Sequence, residues 1–391
     1  MFSMRKEARH PEIDAVIVST SEHEHTAPVL AALHAGKSVL VEKPLALDLA
    51  QADRILAAIE ETRGSMHVGY SRRFKRRYLT ACEQPRRGRL GDVVGISARM
   101  YNSRAQVFQM LARNPEATPV VDSLTYYVDF VGWLLPGNPV VEVCARSAGK
   151  AIRAAGYDCD DVTWAILALA DGAVVNLGVS FVLPAQYPSL GYSGRFEILG
   201  TAGMLMIDDD HLDQVLYTER GIPHLYVPGV MVNMAFLGSS APGDWAAGDF
   251  WGPLASETRA WLDHLATGRP CALATPEEAR HNLEVTLAIE RAVATRKTVR
   301  LPLDPAASRV VRSVRSRRNV GCHRGSHQPG RRQERAARRC AGTAGCAGVR
   351  AARRYAGTVR GAREHGDREV GEGREGFRRA CGVRVARRAF R

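Results

Sequence analysis

No apolar run in the 391-residue chain approaches the ~18–20 residues a bilayer span requires, so no membrane-crossing helix is expected. No C-x-x-C pair occurs among its eight cysteines. Cys82, Cys144, Cys159 and Cys271 are scattered through the body, which reads as reduced core thiols of a cytoplasmic protein and not as a disulfide framework. Met1 to His10 is followed by no h-region, because Glu12 and Asp14 interrupt before Ala15–Val18, so a secretory signal is not expected. From Ala306 onward Lys, Leu, Ile, Met and Trp are all missing. That segment holds 24 Arg against 6 acidic residues, a surplus of +18. The whole chain carries 54 Lys+Arg against 41 Asp+Glu, or +13, which leaves −5 for residues 1–305. A uniformly basic, nucleic-acid-binding body is thereby excluded.

A segment so poor in large apolar groups cannot offset its ordering entropy by burial, so residues 305–391 are expected to form a disordered Arg-rich tail. Two readings of it compete. One is a basic arm that binds nucleic acid through phosphates. The other is translation out of frame through GC-rich DNA, favoured because natural basic arms mix Lys with Arg. Cys322, His323, His327, Cys340 and Cys346 fit no standard zinc spacing. The G-x-G-x-x-G at Gly371–Gly376 follows no strand and opens no helix, so it reads as chance.

The body is patterned. Ile13–Thr20 is a continuous β-branched run of the kind buried on both faces of a parallel sheet. A helix over Thr26–Ala35 stops at Gly36, and Ser38–Val41 is a second buried strand. Asp48 caps a longer helix with the apolar stripe Leu49, Ala52, Ile55, Leu56 and Ile59, ended by Gly64, and Met66–Tyr70 is a third strand. Strand–helix–strand–helix–strand with short turns implies a parallel α/β sheet whose ligand rim lies at the carboxyl ends of the strands. Ser19–His25, Glu42–Pro44 and Tyr70–Arg73 fall on that rim. Beyond about Lys75 the grammar changes to strands at Val93–Ala98, Val140–Ala145, Val162–Ala168, Val174–Phe181 and Phe196–Leu199. A hairpin signal stands at Asp171–Gly172, and helices run over Asp122–Leu135 and from Thr275 to Thr295. The stretches 184–194 and 211–252 are poor in pattern and read as loops covering a substrate.

Thr20-Ser-Glu-His-Glu-His25, Ala32-Leu-His-Ala-Gly-Lys37 and Ser38-Val-Leu-Val-Glu-Lys-Pro44 together closely resemble the glucose–fructose oxidoreductase/inositol dehydrogenase (Gfo/Idh/MocA) family. Val68–Phe74, Gly91-Asp-Val, Thr201–Gly203 and Val299–Pro302 support the resemblance, which covers about Glu12 to Leu303. It implies an α/β fold: a partial Rossmann-type parallel sheet, followed by an α+β domain with a large, mainly antiparallel open sheet. The corresponding domains are 1–74 for dinucleotide binding, 75–304 for substrate binding and oligomerisation, and 305–391 for the tail. It also implies an NAD or NADP cofactor, hydride transfer at a secondary hydroxyl of a sugar, inositol or related polyol, and a homo-oligomer. Ser19, Thr20, His25, Glu42, Lys43 and Arg72 are the cofactor-binding candidates. The lysine of the E-K-P motif, Lys43, is the family's catalytic residue. The family's D-x-x-x-H motif lands on Asp122–Tyr126, with tyrosine in the histidine position.

The chemistry agrees. Removing hydride from an alcohol needs a proton acceptor and a cation to steady the developing alkoxide. Lys43 at a strand end supplies the cation, and beside it Tyr126, with an ordinary pKa of about 10, is expected to be pulled toward neutral pH and to carry the proton, with Asp122 orienting. Asp122, Tyr126, Asp129 and Trp133 share one helix face; Leu124, Val128, Val131 and Leu135 form the core-facing stripe. His23 and His25 lack a third ligand, so no metal is expected, and Asp208–Asp210 reads as a turn. Arg72, Arg73, Lys75, Arg76 and Arg77 make a basic cluster at the domain junction. No G-x-G-x-x-G stands before Glu12, so the chain reads as truncated ahead of its first βαβ unit. The alternative function is therefore an inactive remnant or polyol-binding module.

Overall fold

The computed structural model describes residues 10–185, 192–208, 213–223, 231–237, 244–246 and 249–304, together with the backbone of 383–387. Its first sheet is built as the β-branched runs require. Strands β1 (Ile13–Val18), β2 (Ser38–Glu42) and β3 (Met66–Gly69) are parallel, linked by helices α1 (Thr26–His34) and α2 (Leu49–Thr62). Val18, Val41 and Val68 stand side by side in register and are fully buried, so the three strands end level and their carboxyl termini make one rim. The Asp48 carboxylate accepts the Gln51 N–H at 2.8 Å and so caps α2; the Gln51 amide bonds that carboxylate in return. The left-handed residue that ends α2 is Arg63, φ 49°, and not Gly64.

Val383–Arg387 (β15) pairs antiparallel with the free edge of β1. These five residues are an exception to the expectation of a disordered tail; the remainder of 305–391 lies outside the described residues, as do Asp209, Asp210 and the zinc and glycine motifs of the tail.

The second sheet has nine strands in the order β11-β10-β9-β8-β4-β7-β6-β5-β14. They are β4 (Val93–Ser103), β5 (Val140–Ala148), β6 (Val162–Leu169), β7 (Val174–Leu183), β8 (Tyr192–Gly200), β9 (Gly203–Asp208), β10 (Asp213–Pro223), β11 (Met231–Leu237) and β14 (Val299–Arg300). All neighbours are antiparallel except β4 and β7. The β6–β7 hairpin turns at Asp171–Gly172, where Gly172 takes φ 93° and the Asp171 carboxylate accepts the Ala173 N–H, as that dipeptide prescribes. The stretch 211–252 is not only loop: it supplies β10, β11 and the short pair β12 (Asp244–Ala246) and β13 (Asp249–Trp251). Three more helices lie outside the sequence expectation: α3 (Arg76–Arg86), α4 (Arg104–Arg113) and, after the single turn α6 (Ala151–Ala154), α7 (Pro253–Thr267).

Two helices pack on the inner face of the large sheet. One is α5 (Thr125–Leu134), entered through a π-helical turn at Val120–Leu124. The other is α8 (Pro276–Thr295), which opens with a Thr275/Glu278 capping box. Leu124, Val128 and Val131 are buried, but so are Tyr127, Asp129 and Phe130. The face of α5 that carries Tyr126 and Asp129 is packed against the first sheet's rim and α8. A continuous apolar core runs from Val16 and Val41 through Phe130 to Ile198 and Ile289. Helix α7 covers the other face of β1–β3, with Trp261 against Ala15 and Leu40. No helix among the described residues is long and apolar enough to cross a membrane.

Candidate active site

The rim of the parallel sheet meets the start of α5. Lys43 follows directly on β2. Its ammonium Nζ donates to the main-chain carbonyl of Asp122 at 2.7 Å and lies 3.6 Å from the Asp122 carboxylate. The same Nζ stands 5.0 Å from the centre of the Tyr126 ring. From the next strand end, the Arg72 guanidinium lies 5.1 Å from that ring and 5.6 Å from the Tyr127 ring, and Tyr70 meets Tyr126 edge-on at 6.3 Å. The structure thus brings Lys43, Asp122, Tyr126 and Arg72 together. The π turn holds Asp122 in this position, and such turns recur at functional sites because they re-aim a side chain within a helix.

Electrostatics at the site depart from expectation in one respect. Burial works against the Lys43 ammonium, but Tyr126, Asp122, Glu22 and Glu42 outweigh it, and the lysine is held above its usual range. The Tyr126 phenol is also raised: burial pushes it up, and Glu42 and Asp122 add to that, more than Lys43 and Arg72 pull it down. The expected depression of the phenol is therefore reversed in net effect. At neutral pH both groups keep their protons, the form that hydrogen-bonds to and protonates an oxygen.

The remaining candidates line the same rim in different ways. Glu42 ends β2, its carboxyl raised by burial against the pull of Lys43. Thr20, just past β1, has a buried hydroxyl with no hydrogen-bond partner, and Ser19 beside it is exposed. His25 is 1% exposed. Its Nδ1 lies 2.8 Å from the Pro44 carbonyl and its Nε2 3.2 Å from that of Thr20, so the ring ties the β1 loop to the residue after Lys43. Burial lowers its pKa, and the neutral ring donates through one nitrogen only. His25 thus holds the rim's shape from behind. A cleft of about 790 Å³ opens beside Asp122, lined by Glu22, His23, Gln51, Asn114 and Thr118 among others.

Two features carry no periodic signal in the sequence. Arg73, from the basic cluster, is 2% exposed and grips Asp129 through two parallel bonds of 2.9 and 2.6 Å. Glu257 of α7 is 2% exposed, with one carboxylate oxygen unpartnered; burial and the neighbouring Glu42 and Asp129 push its pKa up to about 8.

Residues 3–70 match the family described as an oxidoreductase family with an NAD-binding Rossmann fold, and residues 78–206 match the GFO/IDH/MocA C-terminal domain. Inositol 2-dehydrogenase 1 of Saccharopolyspora erythraea is 31% identical over 264 residues, 66% of this chain and 68% of that protein. Inositol 2-dehydrogenase of Acidothermus cellulolyticus is 34% identical over 50% of this chain and 54% of its own length. The chain thus spans between about half and two thirds of these curated relatives. Among solved structures, scyllo-inositol dehydrogenase from Lactobacillus casei with bound NAD(H) and scyllo-inositol superposes with a TM-score of 0.58 at 20% identity, covering 76% of this chain and 83% of that one. A probable dehydrogenase from Thermotoga maritima gives 0.59 at 19%, covering 77% and 84%. These two show a shared fold.

Proposed function

Because this chain belongs to the Gfo/Idh/MocA oxidoreductase family, we propose that it is an NAD(P)-dependent oxidoreductase acting on a secondary hydroxyl of inositol, a sugar or a related polyol. The observation that carries this reading is the buried Lys43 ammonium, tied to Asp122 and facing the Tyr126 ring across the rim. The inositol dehydrogenases it is similar to support the substrate class, and nothing in them favours the inactive alternative.

The nicotinamide end of the cofactor suits the rim: Thr20 offers an unsatisfied buried hydroxyl, Glu42 a carboxylate and Lys43 a cation. Ser19 and Arg72 flank them, and His25 acts by fixing the loop. No glycine-rich phosphate cradle stands among the described residues, so no residue is assigned to the pyrophosphate. When bound, the nicotinamide ring supplies the hydride acceptor. This chain's own groups do the rest. Lys43 hydrogen-bonds to the alcohol oxygen and steadies its developing negative charge. Tyr126 carries the proton, and Asp122 keeps the lysine aimed through its carbonyl and carboxylate. With both donors protonated at rest, the site is poised to protonate a ketone oxygen in the reverse direction, and oxidation gains as pH rises.

A homo-oligomer fits the outer face of the nine-stranded sheet, where Val94, Trp164, Ile166, Val174 and Leu199 are 43–54% exposed. An apolar row on an open sheet is a surface that a second copy covers. The free thiols Cys82, Cys144, Cys159 and Cys271 suit a reducing compartment, and we place the protein in the cytoplasm.

The test is direct: incubation with NAD+ or NADP+ and a panel of inositols and sugars, followed by cofactor absorbance and by NADH fluorescence titration. Reduction with at least one polyol, lost in Lys43→Ala, is expected. No cofactor binding and no turnover across the panel would reject the reading.

A further inference from the structure

The ion pair behind the site is built for more than holding two halves together. Arg73 follows Arg72 on the rim beyond β3, and Asp129 lies one helical turn past Tyr126 on α5. The Arg73 guanidinium donates from Nε and Nη2 to the two Asp129 oxygens and from Nη1 to Glu278 of α8 at 2.9 Å. Asn282 of α8 donates to the same Asp129 carboxylate at 2.7 Å, and the Trp133 ring sits 5.1 Å from the guanidinium. One planar group therefore joins the strand-end loop, α5 and α8 at a point where both Arg73 and Asp129 are almost wholly out of water.

Stability alone does not account for such a pair. Desolvating two charges takes back most of their attraction, and apolar residues of similar volume hold an interface as well. A bidentate fork gives what apolar packing does not, a set distance and angle. Its neighbours show what is being set. Arg72, the residue before, lies over the Tyr126 ring, and Asp129 moves with Tyr126 as one rigid turn of helix. Resting on the oxidoreductase reading above, we propose that Arg73 and Asp129 are positioning residues, a buried clamp that seats Tyr126 over the Lys43 rim. Neither touches the substrate cleft; both act through Tyr126.

Arg73→Lys keeps the charge but cannot span Asp129 and Glu278 in one plane, and Asp129→Asn keeps the shape while removing the charge. In variants shown to be folded by circular dichroism and thermal unfolding, kcat is expected to fall at least about tenfold, as misplacement by a fraction of an ångström costs, with NADH affinity within about twofold of wild type. The Tyr126 titration, read as ultraviolet difference absorbance against Tyr126→Phe, should move down toward the ordinary phenol range as water reaches the ring. Folded variants with kcat within about twofold of wild type, or an unmoved Tyr126 titration, would overturn the clamp. Should the wild type neither bind NADH nor turn over, the oxidoreductase reading fails by itself, while the Tyr126 titration still decides the clamp.

Discussion

Lys43 reaches Asp122 twice, through the main-chain carbonyl at 2.7 Å and the carboxylate at 3.6 Å, although 79 residues separate them. A carbonyl cannot be protonated or titrated away, so the ammonium keeps one fixed partner at any working pH. Its remaining N–H groups are left for the carboxylate and, on the proposed function, for a substrate oxygen.

Loss of that ammonium should cost about 10²- to 10³-fold in turnover, the range for removing one donor to a developing oxyanion. Lys43→Ala is expected to remain folded, because the side chain lies at the rim, outside the apolar core. Steady-state assays beside a thermal melt check this, and undiminished turnover in the alanine variant would remove Lys43 from the chemistry.

Because burial holds the Tyr126 phenol above its ordinary range, the rate of alcohol oxidation should climb steadily from neutral to alkaline pH. The reverse reaction should hold steady or decline. In Tyr126→Phe the oxidation rate should fall by about 10²-fold or more and lose that climb. A parallel pH profile in the phenylalanine variant would contradict the assignment.

Glu257 links pH to stability. Its carboxyl titrates at about 8 in the folded chain against an ordinary 4.5, so between those values the folded form binds a proton that the unfolded form has released. Through this group stability falls as pH rises from about 4.5 to about 8, and Glu290, which burial pushes up to about 7, adds a slope of the same sign. Glu257→Gln should remove its own share of the slope and stabilise the protein at pH 7 by at most about 3 kcal/mol. Urea titrations at several pH values decide it; a slope as steep in the glutamine variant as in wild type would exclude Glu257 as a source.

Gly69 faces that carboxyl. A Cβ placed on it would sit 2.9 Å from Glu257 Oε1 and 3.5 Å from the Val41 carbonyl, and Glu257 is 2% exposed. Gly69→Ala should destabilise by about 1–3 kcal/mol, and Glu257→Ser in the same chain should recover most of that loss. Equal effects in the two backgrounds would show that the crowding lies elsewhere.

On the open sheet, Ile166 is 54% exposed, so Ile166→Asp is compatible with the folded subunit. Light scattering behind size exclusion should report a lower mass than for wild type. An unchanged assembly would move the interface off this face.

Much of the first sheet was legible because its strands are short, largely buried apolar runs set between turn signals; Lys43 then follows from where β2 ends. The Asp171–Gly172 hairpin was legible for a similarly local reason. The Arg73–Asp129 pair was not, since its partners stand 56 residues apart and an arginine among five basic residues looks like a solvated face. Nor was Glu257, whose burial depends on α7 packing against the distant strands β1 and β2. The phenol's protonation is not legible either, because a sequence displays the nearby cations and conceals the burial that outweighs them.

The wide turn at Val120–Leu124 makes the placement of Tyr126 beside Lys43 sensitive to residue count as well as residue type. A helix advances about 100° per residue, so deleting any one amino acid there would swing the tyrosine's azimuth off the lysine while leaving every side chain of the site present. Sequence identity at Lys43, Asp122 and Tyr126 would then be a poor guide to activity, and a one-codon indel in this short bend would be more damaging than many conservative exchanges around it.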